Sequence, residues 1–275
     1  GASRVVLARE LSLEDIAVIR DKTPPELAIE AFVHGAMCMS FSGRCLISQY
    51  LTGRDANHGE CAQPCRWSYH LMEEKRPGQF FPVFEDASGS YILNAQDMSM
   101  LPYIDKLAAC GVDSFKIEGR AKSAYYVAVI TNAYRMAIDL YRGDPTHYTA
   151  PDWLVEETRK VSHRQYSTGF YFKENPPDQY PKTGGYVREW DVAAIADGWE
   201  NGILFCTERN RFFRGDTLEL LEPGKQPVPV PVDELYDDEG NAVESACHPM
   251  SRFRIPYGMA VCPGAILRKQ RAESD

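Results

Sequence analysis

Several patterns that assign a protein to a class at once are missing from this chain of 275 residues. It has no apolar run of about 18 residues, the minimum for a membrane-spanning helix, and its first residues lack the charged-then-apolar pattern of a signal peptide. It also has no His-Glu-x-x-His zinc helix and no Gly-x-Ser-x-Gly nucleophile turn. We therefore expect a soluble cytoplasmic protein, and we find no motif for peptide-bond hydrolysis.

An excess of positive charge is missing as well. Lys and Arg number 30 against 39 Asp and Glu, which gives a net charge of −9 at pH 7. A pI near 5.3 argues against a protein that coats nucleic acid, so any RNA binding has to use a local basic patch. The 44% of hydrophobic residues is ordinary for a globular protein, and the length allows one large or two modest domains.

Cysteine, by contrast, is concentrated in one place. Four of the eight cysteines lie within 28 residues with the spacing C-x6-C-x15-C-x3-C: Cys38, Cys45, Cys61 and Cys65. A reducing cytoplasm argues against disulfides. Zinc sites prefer tight pairs at both ends, whereas an iron–sulfur cluster accepts four thiolates at more varied spacing. The spacing favours a cluster over zinc, and scattered structural cysteines are the third alternative.

The first part of the chain alternates predicted strands and helices. Apolar runs predict strands at 4–9, 27–32 and 113–118, and helical periodicity predicts helices from Ser12 to about Lys22 and at 96–109, 122–142 and 151–162. Two short runs at 80–84 and 90–93 predict a hairpin or excursion. Such alternation is typical of βαβ units with a parallel sheet.

The second part has the pattern of an all-β domain. A Pro- and Gly-rich connector at 175–185 is the best domain boundary. Short strands with turns at regular spacing follow it, at 192–196, 202–207, 217–221, 228–232, 242–246, 252–255 and 265–268. We therefore predict an α/β domain over 1–163, a linker over 164–185 and a small β-barrel over 186–270.

Charged side chains gather at the predicted ends of three strands. Alternation in the strand at 113–118 places Lys116, Glu118 and, just past it, Arg120 on one face, while Glu30 and Arg9 end the other two strands. Charges at the carboxyl ends of parallel strands are costly unless they are paired or functional. We predict Glu30, Lys116, Glu118 and Arg120 as catalytic residues. The alternative to a catalytic role is that these residues form two structural ion pairs, Lys116–Glu118 and Arg120–Glu30.

Three further residues are predicted to bind substrate near this edge. Arg9 ends the first strand, His34 follows the second, and Arg44 stands between two of the clustered cysteines. A lone histidine is more often a satisfied loop residue than a ligand, and Arg44 could equally orient the cysteine loop.

Six segments have the pattern of a known protein family: 30–48, Arg54-Asp55, 59–61, 63–67, 91–97 and 115–120. Through these segments the chain resembles the peptidase family U-32, the collagenase-like peptidases, over nearly its whole length. Within the family, it is most similar to the branch that hydroxylates transfer RNA.

The resemblance implies a fold, a cofactor and an activity. The fold would be a (β/α) TIM-barrel-like domain followed by a translation-factor-like β-barrel. Because about three barrel strands cannot close an eight-stranded barrel, we expect a fragment that lacks the first half of the barrel. The implied cofactor is a [4Fe–4S] cluster on Cys38, Cys45, Cys61 and Cys65, with zinc as the alternative occupant.

The activity implied for that branch is conversion of the wobble uridine of tRNA to 5-hydroxyuridine, with prephenate as the oxygen donor. A sister branch hydroxylates a cytidine of 23S rRNA. Two other classes remain open: a collagenase-like hydrolase, as the family name states, and an RNA-binding module stabilised by zinc. The run Arg209-Asn-Arg-Phe-Phe-Arg214 could contact single-stranded RNA, although such a run is more often an ordinary hairpin edge.

Overall fold

The structure is a computed structural model that describes residues 1–37, 45–56, 58–67, 70–71, 81–82, 96–120, 122–173 and 187–271. The chain forms two compact units. The first comprises residues 1–121, 137–150 and 163–187, and the second comprises 122–136, 151–162 and 188–275. Among the described residues, no helix combines the length and the apolar character needed to cross a membrane.

Five α-helices and sixteen strands make up the described part of the chain. The helices are α1 (Leu13–Asp21), α2 (Ile47–Thr52), α3 (Ile104–Ala109), α4 (Ala124–Gly143) and α5 (Asp152–Glu157). The strands are β1 (Arg4–Val6), β2 (Ala28–Ala36), β3 (His70–Leu71), β4 (Phe81–Pro82), β5 (Asp97–Ser99), β6 (Ser114–Ile117), β7 (Tyr166–Ser167), β8 (Trp190–Glu200), β9 (Ile203–Glu208), β10 (Phe212–Phe213), β11 (Thr217–Leu221), β12 (Val228–Pro231), β13 (Tyr236–Asp237), β14 (Ser245–Ala246), β15 (Arg252–Pro256) and β16 (Ile266–Gln270).

The first unit is built on a mixed sheet of five strands centred on β2. Strands β1 and β6 both run parallel to β2, as the alternating pattern predicted. Strand β5 runs antiparallel to the end of β2, and β7 pairs in parallel with β5. The described strands thus form an open mixed sheet, and the TIM-like barrel remains a prediction.

The predicted helix at 96–109 is wrong in its first half. Residues Asp97–Ser99 form β5, a 3-10 helix follows at Leu101–Tyr103, and α3 begins only at Ile104. Pro102 explains the late start, because proline is tolerated in the first turn of a helix but not in its interior. The helix predicted at 151–162 is likewise shorter, since α5 ends at Glu157.

Helix α1 begins where the sequence predicted. The Ser12 hydroxyl accepts a hydrogen bond from the Asp15 N–H at 3.2 Å, and the Asp15 carboxylate accepts one from the Ser12 N–H at 3.0 Å. This reciprocal capping box satisfies two donors that a helix start leaves open. Ile16 then lies in the core of the first unit.

The predicted linker and hairpin are only partly described. Residues 174–186 and 83–95 lie outside the described residues, and with them the Pro-rich connector and the run predicted at 90–93. Within the range predicted as linker, residues 164–173 belong to the first unit, with β7 in its sheet and Tyr171 buried. The strand predicted at 80–84 is represented by β4, which pairs with β3.

The second unit contains an antiparallel sheet of seven strands in the order β12-β11-β16-β8-β9-β15-β13. The seven strands predicted from the sequence correspond to β8, β9, β11, β12, β14, β15 and β16. The short strands β10 and β13 were not predicted. Within residues 187–271, all of which are described, β12 and β13 do not pair with each other, so the sheet remains open along these edges.

A buried ion network joins α5 to this sheet within the second unit. Arg268 on β16 is fully buried and donates to both carboxylate oxygens of Glu157 at 2.7 Å and to Glu219 at 2.8 Å. Lys160 bridges the same two carboxylates at 2.8 and 2.9 Å. A buried charge is tolerated only when it is paired and hydrogen-bonded in this way. The network explains why residues 151–162 belong to the β unit.

Candidate functional site

The charged edge predicted from the sequence exists, but its ion pairs differ from the predicted ones. Arg9, just past β1, pairs with Glu118, just past β6, with Nη2 and Oε2 2.9 Å apart. Lys116 lies 3.9 Å from Glu30. The predicted pairs Lys116–Glu118 and Arg120–Glu30 are therefore wrong.

The register of the sheet is the physical reason why the observed ion pairs differ from the predicted ones. In the β2–β6 pair, Glu30 stands opposite Ser114, and the Ser114 hydroxyl donates to its carboxylate at 2.8 Å. Lys116 stands opposite Phe32, two pairs further along, and its ammonium reaches back to Glu30. On the β1 side, Arg4 also donates to Glu30, at 3.1 Å. Glu30 is thus held between strands and serves as an anchor of the sheet.

Phe32 forms the floor of this charged edge. The Arg9 guanidinium lies 3.5 Å from the centre of the Phe32 ring, and the Lys116 ammonium lies 5.0 Å from it. Both distances are typical of cation–π contacts. Tyr171 fixes the backbone at the same residue, because its hydroxyl donates to the Phe32 carbonyl at 2.5 Å. Burial raises the pKa of Tyr171, so it remains a neutral donor.

A glycine on β2 allows the Glu118 backbone to approach. Gly35 has φ +115°, and a Cβ on it would lie 2.5 Å from the Glu118 carbonyl oxygen and 2.8 Å from the Glu118 Cβ. The Glu118 N–H donates to the His34 carbonyl at 2.8 Å. No other residue type accommodates both the dihedral angle and this contact. Gly35 therefore sets where the carboxylate of Glu118 stands.

Arg120 connects the charged edge to the cysteine segment. Its N–H donates to Glu118 Oε1 at 3.3 Å, and its guanidinium lies against the Cα of Gly59, where a Cβ would overlap it. Gly59 has φ +79° and precedes Cys61 by two residues. In the described part of the chain, no carboxylate pairs with the exposed Arg120 guanidinium. Arg120, which has no carboxylate partner among the described residues, thus lies beside the loop that carries Cys61.

The described cysteines of the motif lie around α2 and a short 3-10 helix. Cys45 is buried just before α2, and Cys65 lies within the 3-10 helix Pro64–Arg66, which packs against α2. Cys61 accepts the N–H of Gln63 at its Sγ, at 3.3 Å. Gln63 has φ 57°, a conformation unusual for a residue with a Cβ. The Ser48 hydroxyl accepts the Ala62 N–H at 3.0 Å and ties the loop to α2.

These donors suit a thiolate-bound group in chemical type. Backbone N–H groups directed at Sγ are a common feature around the cysteine ligands of metal sites. Cys38 and Arg44, however, lie outside the described residues. Within the described ones, no three His, Cys, Asp or Glu side chains are grouped closely enough to hold a metal ion. The ligand set therefore remains a prediction from the sequence, compatible in donor type with Cys45 and Cys61.

His34 is not the loop histidine that the sequence suggested. Strand β2 runs four residues further than predicted, to Ala36, and His34 within it is fully buried. Its Nε2 lies 3.2 Å from the Tyr166 hydroxyl, and the Tyr166 ring stacks on His163 with centroids 4.7 Å apart. His34 is thus a buried strand residue, and its role in substrate binding stays a prediction. Tyr166 and His163 were missed because nothing in their local sequence marks them.

Two models of one protein family match this chain. The model of Peptidase family U32 matches residues 1–180, and the model of the Peptidase family U32 C-terminal domain matches residues 188–268. The "tRNA hydroxylation protein P1" of Bacillus subtilis is 32% identical over 273 residues, which cover 98% of this chain and 64% of that protein. The "tRNA hydroxylation protein P" of Escherichia coli is 35% identical over 265 residues, which cover 81% of this chain and 58% of that protein.

A third relative acts on ribosomal RNA by its name. The "23S rRNA 5-hydroxycytidine C2501 synthase" of Escherichia coli is 36% identical over 184 residues, which cover 65% of this chain and 27% of that protein. The chain thus spans 64% and 58% of the length of the first two relatives.

Proposed function

The chain belongs to peptidase family U32, and from that premise we propose that it takes part in the hydroxylation of RNA. The substrate we propose is the wobble uridine of tRNA, with prephenate as the oxygen donor. The names of the relatives support RNA hydroxylation as the reaction class. The site supports it through the type and position of its charges.

The observation that carries the proposal is the position of Arg120. An oxygen donor with two carboxylates needs a cationic seat, and a guanidinium holds a carboxylate by two parallel hydrogen bonds. Arg120 offers an exposed guanidinium against Gly59, two residues from Cys61. The binding site for the oxygen donor would therefore lie next to the cysteine loop.

The neighbouring charges have supporting roles in this proposal. Arg9 is held by Glu118 and by the Phe32 ring, so it adds positive potential without being free to move. Lys116 is half-exposed and only loosely paired with Glu30, which leaves its ammonium able to turn towards an anion. Glu118 accepts the Arg120 N–H and so fixes the backbone from which the guanidinium extends.

The proposed cofactor is a [4Fe–4S] cluster held by Cys38, Cys45, Cys61 and Cys65. When bound, such a cluster supplies electron transfer at a potential set by its surroundings. The protein's own contribution at this place is the Gln63 N–H on Cys61 Sγ and the tie between Ser48 and Ala62. Both contacts hold the loop in one conformation.

Cytidine of 23S rRNA is the second candidate substrate. It is favoured by the identity of 36% to the rRNA synthase, which extends over 184 residues. Both candidates share one reaction type at carbon 5 of a pyrimidine, so the same charged edge would serve either. Nucleoside analysis of tRNA and rRNA from the same cells separates them.

The test is the variant Arg120→Lys, introduced into the gene in its own host. Lysine keeps the charge but offers no two-point contact, so we expect hydroxylated nucleoside to fall by about tenfold or more. Arg4→Lys is the matched control, because Arg4 is an exposed arginine that pairs with Glu30 on the β1 side. Mass spectrometry of nucleosides from total tRNA and rRNA gives the readout. Wild-type levels of the modification in Arg120→Lys would move the donor seat away from Arg120.

A further inference from the structure

We propose that the solvent face of the β9–β15 pair, together with the loop after β9, is an RNA-binding surface of the second unit. We name it the arginine face and define it by Phe205, Arg209, Arg211, Arg252 and Arg254. This inference rests on the proposed function for its biological meaning, but its evidence is separate. It assigns the substrate RNA a second contact surface besides the charged edge of the first unit.

The pairing of the two strands creates the face. Arg252 stands opposite Thr207, and Arg254 stands opposite Phe205, with the Arg254 guanidinium 5.7 Å from the centre of the Phe205 ring. Alternation turns the intervening side chains to the other side of the sheet. Those side chains form the core there: Leu204, Cys206, Phe253 and Ile255 are all buried. The arginines and Phe205 therefore share the outer face.

The loop after β9 extends the same face with further cations. Arg209 and Arg211 are exposed, and Arg209 contacts the Met250 sulfur in the loop that leads into β15. The two loops are joined by the backbone as well, since the Met250 N–H donates to the Glu208 carbonyl at 3.2 Å. Asn210 donates to the Val192 carbonyl at 2.7 Å and holds the turn between the two arginines. The cations are thus presented by a fixed turn.

The Arg254 guanidinium donates to the Asp238 carbonyl, whereas the other three guanidiniums of the face make no ion pair within residues 187–271. In residues 187–271, all described, no carboxylate pairs with Arg209, Arg211 or Arg252. By contrast, Arg214 in the same segment pairs with Glu244 at 3.3 Å, and Arg271 pairs with Asp191 at 2.7 Å. Exposed, unpaired arginines in a chain of net charge −9 indicate an anionic partner.

Acidic groups near the face leave its cationic end intact. Glu208 lies beneath the loop and is buried, and burial raises the pKa of its carboxyl. Asp197 accepts the Thr207 hydroxyl at 2.8 Å. Towards β13 the surface is acidic, with Glu234 bonded to the Tyr236 hydroxyl. The positive charges of the face are thus Arg209, Arg211 and Arg252, with the Asp197 carboxylate beside Thr207, which stands opposite Arg252.

RNA fits this face better than an acidic protein surface does. Guanidinium groups recognise phosphate by two-point hydrogen bonds, and an aromatic ring on a sheet offers a platform on which an unpaired base can stack. Phe205 is only partly covered, and Met250 beside Arg209 is largely exposed. Cations placed beside apolar surface are typical of single-strand binding. An acidic peptide would need the charges but not the ring.

The experiment compares two double variants that lower the net charge equally. Arg209→Gln/Arg252→Gln removes two unpaired cations of the face, and Arg214→Gln/Arg271→Gln removes two that are ion-paired elsewhere. The full chain is titrated against a fluorescein-labelled anticodon stem-loop RNA at several salt concentrations, with polyglutamate as competitor. For the first variant we expect about tenfold weaker binding and a dependence of log Kd on log salt shallower by about 2. The control should bind as wild type does.

The outcomes separate this inference from the proposed function. Equal losses in both double variants, or no RNA binding by the wild-type chain, would overturn the arginine face. Displacement of the RNA by polyglutamate at an equal concentration of charge would also overturn it, in favour of an acidic protein partner. Hydroxylation in cells is measured independently, so normal modification in the Arg209→Gln/Arg252→Gln variant would leave the proposed function standing while counting against this face.

Discussion

Replacing Gly59 by alanine tests whether the contact between Arg120 and the cysteine loop matters for function. Gly59 has φ +79°, and an alanine there meets two separate penalties. The left-handed conformation costs a residue with a Cβ about 1–2 kcal/mol. In addition, the new methyl group would occupy the space of the Arg120 guanidinium.

The second penalty is the informative one. A guanidinium is the far end of a flexible side chain, so it moves aside at little cost in stability. The variant is therefore expected to lose only the 1–2 kcal/mol of the backbone term, about the same as any left-handed glycine. In addition, Gly59→Ala moves the Arg120 guanidinium away from the loop that carries Cys61.

Gly53 provides the matched control for this reasoning. It has φ +72°, ends α2, and has no atom within 4 Å of the place where a Cβ would stand. Gly53→Ala should therefore lower the free energy of unfolding as much as Gly59→Ala does, without moving Arg120. Urea unfolding measures the first quantity, and the amount of hydroxylated nucleoside in cells measures the second.

The two variants should differ in activity alone. We expect Gly59→Ala to lose hydroxylated nucleoside to the extent that Arg120→Lys does, while Gly53→Ala keeps it at equal protein level. If both alanine variants kept the modification, the contact with Gly59 would be incidental. If both lost it to the same degree, strain in the loop rather than the position of Arg120 would be the cause.

Two further predictions concern stability. Burial by itself raises the pKa of Glu219, but hydrogen bonds from Lys160 and Arg268 outweigh it and hold the pKa below its ordinary value. Glu219→Gln should therefore lower the free energy of unfolding by about 2 kcal/mol at neutral pH. The difference in unfolding free energy between variant and wild type should shrink as pH falls below about 4.3, because wild-type Glu219 becomes protonated. Urea unfolding at several pH values measures this difference. A gap that stays constant down to pH 3 would contradict this. Gly35→Ala should lower the free energy of unfolding by about 3 kcal/mol or more, because the new methyl group would overlap backbone atoms of Glu118 instead of a flexible side chain. A urea unfolding midpoint near that of wild type would refute this contact.

The charged edge could be predicted from the sequence, whereas its pairing could not. Strand alternation is a local property, and it placed Lys116 and Glu118 correctly on one edge with Arg9. Partner choice depends on register, which the sequence of one strand does not contain. Because Glu30 stands opposite Ser114, Lys116 meets Glu30 across the sheet, and Glu118 is left for Arg9. The predicted pairs, Lys116–Glu118 within one strand and Arg120–Glu30 between strands, could not take this register into account.

The same limit explains why β5 and the buried histidine were missed. Strand β5 exists because β2 extends beyond its predicted end to Ala36 and offers a free edge there to Asp97–Ser99. The extension brings His34 into the core, against Tyr166 of a strand more than a hundred residues later in the chain. No periodicity in a window of ten residues reports such a contact. The strands of the second unit were predicted well because each is bounded by its own turn residues.

Arg268 shows how one irregularity in a sheet can reverse a reading of the sequence. An arginine directly after a buried leucine in a strand should face solvent, since alternate residues face opposite sides. The pairing of β16 with β8 shifts register between Leu267 and Arg268, and both side chains are fully buried. Such a bulge inserts an extra residue and redirects the side chains that follow it. A buried guanidinium needs anionic partners, and Arg268 has two: Glu219 on β11 and Glu157 on α5. The ion pair with Arg268 thus links the segment 151–162 to the β unit. The hydrophobic pattern alone predicted this segment as the last helix of the first domain.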